Sequence, residues 1–145
     1  MALLSATDQQ ALREAFAGMT RPVTIVFVTQ TIGCETCDET RQILTEITDV
    51  TPQVTIEEVN LVLESERAAS YGIDRAPGLA ILAGEEKADT RIRMLGAPSG
   101  YDFMSLIDAI LLVSGASPQR LSAETEARLA GVTEPLTVHV FVTPT

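Results

Sequence analysis

The sequence predicts an α/β fold with a mixed central sheet flanked by helices. Stretches of helical period alternate with short β-branched runs. The first two such runs are separated by a helix, the connection that parallel strands require. The last two are joined by a tight polar turn, so they pair antiparallel.

Each element has its own signature. Ser5 and Asp8 form a capping-box start, after which Leu12, Ala15, Phe16 and Met19 mark one helical face and Gly18 stands near the stop. Residues 22–28, with Val23-Thr24-Ile25-Val26-Phe27-Val28, are the first strand. The turn from Thr29 to Gly33 leads to Cys34-Glu35-Thr36-Cys37, and Ile43, Leu44, Ile47 and Val50 then repeat at helical spacing. Val54-Thr55-Ile56, continuing through Val59 and Leu61, is a second strand; Glu64 to Tyr71 is a short helix ending at Gly72. Gly78 to Ala83 is a buried strand entered through Ala76-Pro77. Gly84 to Asp89 turns the chain, and Thr90 to Met94 alternates as a half-exposed strand does. Pro98, Ser99 and Asp102 start a helix whose Phe103, Leu106, Ile107, Ile110 and Leu111 form one stripe. Pro22, Pro52, Pro98, Pro118 and Pro135 read as strand, turn and helix punctuation.

A chain of 145 residues, 46% hydrophobic and 21% charged, suits one globular domain with a fragment of another. Its longest apolar stretch, around Ile110 to Val113, is far short of a bilayer span, and no basic segment followed by a long apolar run opens it. A soluble, cytoplasmic protein without membrane contact is expected. The net charge of −10 argues against nucleic acid, where phosphate neutralisation dominates binding. Nine of the ten basic residues are arginine and Lys87 is the one lysine.

Cys34 and Cys37 are the only cysteines. At the start of a helix, unpaired N–H groups and the macrodipole favour a thiolate, the form that attacks disulfides. In a reducing compartment such close thiols point to redox chemistry rather than a structural staple. Two alternatives stand beside this one: a pair of small core residues, or half of a zinc site. The zinc reading lacks ligands, because a structural site needs four and the one histidine, His139, is remote in sequence. His139 reads as a surface or packing residue, and Tyr71 and Tyr101 as helix-face residues with polar tips.

After Ser114-Gly115-Ala116-Ser117-Pro118, a linker by composition, the chain begins again. Ala17-Gly18-Met19-Thr20-Arg21-Pro22 recurs as Ala130-Gly131-Val132-Thr133-Glu134-Pro135. Val26-Phe27-Val28-Thr29-Gln30-Thr31 recurs as Val140-Phe141-Val142-Thr143-Pro144-Thr145, displaced by one further residue. The two blocks keep their order, which indicates an internal duplication whose copy stops near where its own dithiol would begin. The chain is then either a piece of a longer protein or a short form. An unpaired strand from Leu136 to Val142 would expose an apolar edge and add to the sheet of its own or a neighbouring chain, a route to a homo-oligomer.

Strand, Cys-x-x-Cys at a helix start, strand and helix, a proline before an antiparallel hairpin, and a last helix together resemble the thioredoxin superfamily. With the recurring Phe27-Val28-Thr29 and Phe141-Val142-Thr143, the segment Gly96 to Phe103 and Gly131 to Thr145, the chain more closely resembles the glutaredoxin-like protein disulfide oxidoreductases of thermophiles, built from tandem thioredoxin units. The resemblance implies a thioredoxin-like unit over 1–116 and, over 117–145, a linker and the helix and strand that open an incomplete second unit. It makes Cys34 the exposed nucleophile, Cys37 the resolving thiol and Pro77 a cis-proline facing them. Ala76 then pairs with an extended substrate segment in β fashion. Protein disulfides are the implied substrates and a thioredoxin-reductase-like flavoprotein the implied electron donor. No cofactor or metal is expected in this chain, since nothing in it recognisably binds a flavin or nucleotide.

The chain departs from thioredoxins in detail. Gly33 stands where many have tryptophan, Glu35-Thr36 replaces Gly-Pro, and no acid lies in Arg21 to Thr31 to serve as the buried carboxylate under the dithiol. Proton relay for Cys37 then needs water or another acid. Glu35, Asp38 and Glu39 oppose the helix dipole, so a weakly acidified nucleophile and a reducing couple are expected. The expected chemistry is attack by the Cys34 thiolate on a protein disulfide, a mixed disulfide, and release by Cys37. Three other readings are a redox-inactive binding module docking through Ala76-Pro77, a redox sensor, and the N-terminal region of a peroxide-reducing flavoprotein. The two thioredoxin-like units of such flavoproteins usually carry the dithiol in the second, whereas here it lies in the first.

Overall fold

The computed structural model describes residues 2–117 and 120–143. In chain order the elements are α1 (Ala6–Phe16), β1 (Val23–Thr29), α2 (Cys37–Val50), β2 (Val54–Asn60), α3 (Ser65–Ser70), β3 (Gly78–Ala83), β4 (Ala88–Leu95), α4 (Tyr101–Ser114) and α5 (Ala123–Ala130). The four strands form one sheet in the order β2-β1-β3-β4. β1 runs parallel to β2 and antiparallel to β3, and β3 runs antiparallel to β4, the mixed sheet the sequence predicts.

β1 and β3 are buried along their whole length, which is why their sequences show apolar runs rather than alternation. Their alternate residues nevertheless serve different layers. Val23, Ile25, Phe27, Leu79 and Ile81 pack with α1, α2 and α4, whereas Val26, Val28, Ala80 and Leu82 pack with Ala68 of α3 and Ile73. Each large side chain removed from water contributes about 1.5–3 kcal/mol before the entropy of ordering is counted.

α1 begins as expected: the Asp8 N–H donates to Ser5 Oγ and the Ser5 N–H to Asp8 Oδ2, at 3.1 Å each. The segment before it is tied to α2, because the Leu3 and Leu4 N–H groups donate to the two oxygens of Glu46 at 2.7 Å. α4 ends in a left-handed turn at Gly115, φ 80°, and the Ser114 carbonyl accepts from the Thr20 N–H and hydroxyl on the approach to β1.

Two features differ from the sequence reading. β4 begins at Ala88, earlier than the alternation suggests, because a bulge absorbs the extra residues: the register shifts between Ala80 and Leu82, Arg91 takes φ 64°, and its N–H donates to Asp89 Oδ1. The strand expected over 136–142 makes no ladder, and α5 buries no residue. His139 and Phe141 keep the same-side relation of residues two apart, their rings 6.3 Å from each other, but no neighbouring strand is present among the described residues to accept the pairing. The Pro118 end of the expected linker and Pro144-Thr145 of the recurring block lie outside the described residues. Among the described residues no helix is long and apolar enough to cross a membrane.

At the hairpin end of the sheet, Glu57 accepts from Arg67 and from Lys87, while Asp89 pairs with Arg93. The Lys87 bond first, and the Arg67 charge, hold Glu57 below the usual carboxylate range; the Arg93 bonds do the same for Asp89.

These contacts make stability testable in two places. Gly72, φ 69°, has open space where a Cβ would stand, whereas a Cβ on Gly115 would meet Thr20 Oγ1 at 2.5 Å. Gly72→Ala should lower unfolding free energy by about 1 kcal/mol, and Gly115→Ala by clearly more, in urea titrations. Because the folded values of Glu57 and Asp89 are depressed, their contribution is complete above the unfolded carboxylate range of about 4 and disappears as pH falls through the lower folded values. Partial exposure keeps each below about 1 kcal/mol. Glu57→Gln should therefore reduce the difference in urea midpoint between pH 6 and pH 3, and an unchanged difference would remove Glu57 from this account.

Candidate active site

β1 delivers the chain to the site. Its last residue, Thr29, accepts from the Leu61 N–H through its carbonyl, which closes the β1–β2 end of the sheet. The following turn is held by Gln30, whose Nε2 donates to the Ile32 carbonyl at 2.9 Å, and by Gly33 at φ 79°. Cys34 lies in this turn and Cys37 is the first residue of α2, so the helix begins three residues later than the first thiol. The two are joined as a disulfide with Cα atoms 5.5 Å apart. Cys34 is half-buried while Cys37 is only 3% exposed and belongs to the core packed under α2.

Pro77 arrives from the other side of β1. Gly78 pairs with Val28, which places the preceding Ala76-Pro77 at the same end of the sheet as Thr29 and the dithiol turn. The Ala76–Pro77 peptide bond is cis, the isomer the resemblance implies. Glycine is needed after it, since a Cβ there would meet Ile73 Cγ2 at 2.6 Å and the Arg75 carbonyl at 3.0 Å. Ala76 and Cys34 are both partly buried against the same core cluster.

Beside the dithiol lies a cleft of about 400 Å³ that reaches from Cys34 and Cys37 to Thr29, Arg41, Glu58 and Asn60. Its walls follow from the pleat. Phe27 and Thr29 of β1 pair with Glu58 and Asn60 of β2, and all four lie on the side of the sheet covered by α2. Arg41, one helical turn after Cys37, lays its guanidinium 5.6 Å from the centre of the Phe27 ring. It donates through Nε to Glu58 Oε1 and through Nη1 to Asp38 Oδ1, each at 2.8 Å. The Glu58 bond first, with the charges of Glu58 and Asp38, raises the Arg41 pKa against its partial desolvation.

The sequence reading names Cys34, Cys37, Ala76 and Pro77, and the fold brings all four to one end of the sheet. It also names Glu35, Asp38 and Glu39 as brakes on thiolate formation. The structure leaves them exposed, and Asp38 is already paired with Arg41, so solvent screens much of their effect. His139 and Tyr101 stand exposed on other elements, and Tyr71 lies under the Arg93 guanidinium, 5.7 Å from its ring centre. As site residues, Thr29, Arg41 and Glu58 are absent from the sequence reading. Arg41 carried one legible signal, its four-residue spacing from Cys37 on a single helix face. No group of three or more histidine, cysteine, aspartate or glutamate side chains among the described residues is arranged to hold a metal ion.

No protein-family model matches the chain. Among curated proteins it is 32% identical over 117 residues to the alkyl hydroperoxide reductase AhpF of Staphylococcus aureus, a match taking in 81% of this chain and 20% of that protein. It is 29% identical over 143 residues to the Staphylococcus epidermidis counterpart, covering 99% of this chain and 25% of the other. The chain thus spans about a fifth to a quarter of the length of these relatives. Among solved structures, the alkyl hydroperoxide reductase AhpF of Enterococcus faecalis superposes with a TM-score of 0.79 at 25% identity, over 90% of this chain and 61% of that one. A protein disulfide oxidoreductase from Aeropyrum pernix superposes with a TM-score of 0.74 at 24% identity, over 90% and 56% respectively, a likeness of fold.

After reduction, the difference in burial between the two thiols should be measurable. Brief iodoacetamide treatment at pH 7, read by mass spectrometry, should label Cys34 at least about tenfold faster than Cys37. Equal rates would show that Cys37 is not shielded as described.

Proposed function

We propose, on the premise that this chain is a thioredoxin-fold protein with a Cys-x-x-Cys disulfide, similar to the alkyl hydroperoxide reductase AhpF and to a protein disulfide oxidoreductase, that it is a thiol-disulfide oxidoreductase acting on protein disulfides. The observation that supports this most is the asymmetric pair: a half-buried Cys34 and a buried Cys37, already close enough to be joined, at the sheet end that also holds the cis Ala76–Pro77 peptide. Cys34 is the nucleophile. Its thiolate attacks one sulfur of the substrate disulfide, and the other leaves as a thiolate. Cys37 then attacks Cys34, breaking the mixed disulfide and restoring the internal one. Ala76 and Pro77 receive an extended substrate segment by main-chain pairing, which accepts many sequences. A thioredoxin-reductase-like flavoprotein supplies electrons, and a reducing compartment such as the cytoplasm suits the couple. Residues 1–116 form the working unit, and the recurrence of its stem supports reading 117–145 as a linker and the start of a second.

The names of the curated relatives favour one narrower reading: the same dithiol passes electrons toward peroxide reduction, to the disulfide of a peroxidase. Both readings share the chemistry at Cys34 and differ in the acceptor.

Dithiothreitol-driven reduction of insulin should be accelerated by the wild-type chain and fall to the uncatalysed rate in Cys34→Ser and Cys37→Ser. Retained turnover in Cys34→Ser would overturn its assignment as nucleophile. If a thiol peroxidase in its disulfide form is reduced at least about tenfold faster than insulin at equal concentration, the narrower reading holds.

A further inference from the structure

The reaction proposed above leaves one proton without a carrier. Before Cys37 can attack Cys34 it must lose its thiol proton, yet it is 3% exposed and lies under the first turn of α2. Thiolate, not thiol, is the nucleophile, and burial opposes its formation. A polar route from this sulfur to solvent is therefore required.

The cleft beside the dithiol provides one. It is lined by Cys37 at one end and by the Glu58 carboxylate farther along. Between them on β1 stands Thr29, only 6% exposed, whose hydroxyl is the one buried side-chain polar atom among the described residues without a hydrogen-bond partner. A buried hydroxyl without a partner costs about 1–3 kcal/mol unless water satisfies it. The cleft has the volume for a water, which needs two or more polar partners, and Thr29 Oγ1 with the Glu58 carboxylate would supply them. Arg41 keeps Glu58 in place, gripping Oε1 through Nε at 2.8 Å and Oε2 through Nη2 at 3.4 Å.

We infer that Glu58 is the proton acceptor for Cys37, reached through a water seated on the Thr29 hydroxyl. The inference rests on the dithiol reading and adds the residue that makes its second step possible. In the mixed disulfide, the Cys37 proton passes to the water and a water proton passes to Glu58. The Cys37 thiolate then attacks the Cys34 sulfur. The bond from Cys34 to the substrate sulfur breaks, and the substrate leaves as a thiolate with that electron pair. The dithiol is oxidised by two electrons, the substrate disulfide is reduced by two, and Glu58 returns its proton to the departing thiolate or to solvent. Glu58 is a proton-transfer residue and Thr29 a positioning residue. The other charged groups lining the cleft are Asp38 and Arg41 from α2 and Glu64 just before α3; Asn60 is neutral. Asp38 is committed to Arg41, and Glu64 accepts from the Asn60 N–H and from Arg67, which leaves Glu58 as the carboxylate shared by the cleft and the α2 face of the sheet.

The test uses the reduced chain and 5,5′-dithiobis(2-nitrobenzoate). Attack by Cys34 releases one thionitrobenzoate and leaves a mixed disulfide; attack by Cys37 releases the second, and this second phase is followed from pH 5.5 to 10. Expected is a phase slowed about tenfold by Glu58→Gln near pH 7, the low side of what a positioned acid–base group supplies, with the gap closing above pH 9 where solvent removes the proton. Thr29→Val should give a smaller loss of the same pH shape, and Glu58→Asp should recover part of the rate. The inference is overturned if the wild-type and Glu58→Gln profiles coincide. It is overturned equally if they differ by one factor at every pH, which a purely structural role of the Arg41–Glu58 pair would give. Absence of the second phase in the wild-type chain would instead overturn the dithiol reading, and the relay with it.

Discussion

Strand β1 is enclosed on every side, by β2 and β3 along its edges and by helices over both faces, and the position of every other element follows from that enclosure. A strand with no solvent-facing side can carry only side chains that pack. Its seven residues are all buried, and its two polar ones, Thr24 and Thr29, must find partners inside. Thr24 does so across the parallel pair, its hydroxyl 3.2 Å from that of Thr55. Thr29, at the end where the strand stops and the dithiol turn begins, does not. The transition from packing to chemistry occurs within one residue.

The same enclosure sets the electrostatics of the site. With no charge tolerated on β1, any ionised group near the cysteines must come from a neighbouring element. Here it comes from β2 and α2 as a pair, Glu58 with Arg41, stacked over Phe27 at the margin of the core. That arrangement keeps the carboxylate partly solvated, where a carboxylate on β1 itself would be desolvated and driven toward its neutral form.

Much of the fold was legible because its signals were local. The Ser5 cap, the apolar runs of β1 and β3, the stripe of α4 and the hairpin turn each declare themselves within a few residues. The cysteine pair was legible for the same reason. What escaped depended on pairing between distant positions. The Arg41–Glu58 contact links residues 17 apart through the parallel register of β1 and β2, and nothing in either local sequence specifies it. The early start of β4 depends on a bulge at Arg91, a non-glycine residue at positive φ that no alternation pattern announces. The run from Leu136 to Val142 has strand composition, yet composition supplies only one side of a ladder.

Lys87 stands at the turn between β3 and β4, where the Gly84 N–H donates to the Pro22 carbonyl at the opening of β1, whereas the cysteines follow its close. As the chain's one lysine, half exposed in its ion pair with Glu57, it separates amine chemistry from thiol chemistry by the length of a seven-residue strand, about 23 Å. A fluorophore or surface linker attached there through its amine would hold the molecule by its far end and leave the sulfur-bearing face turned outward.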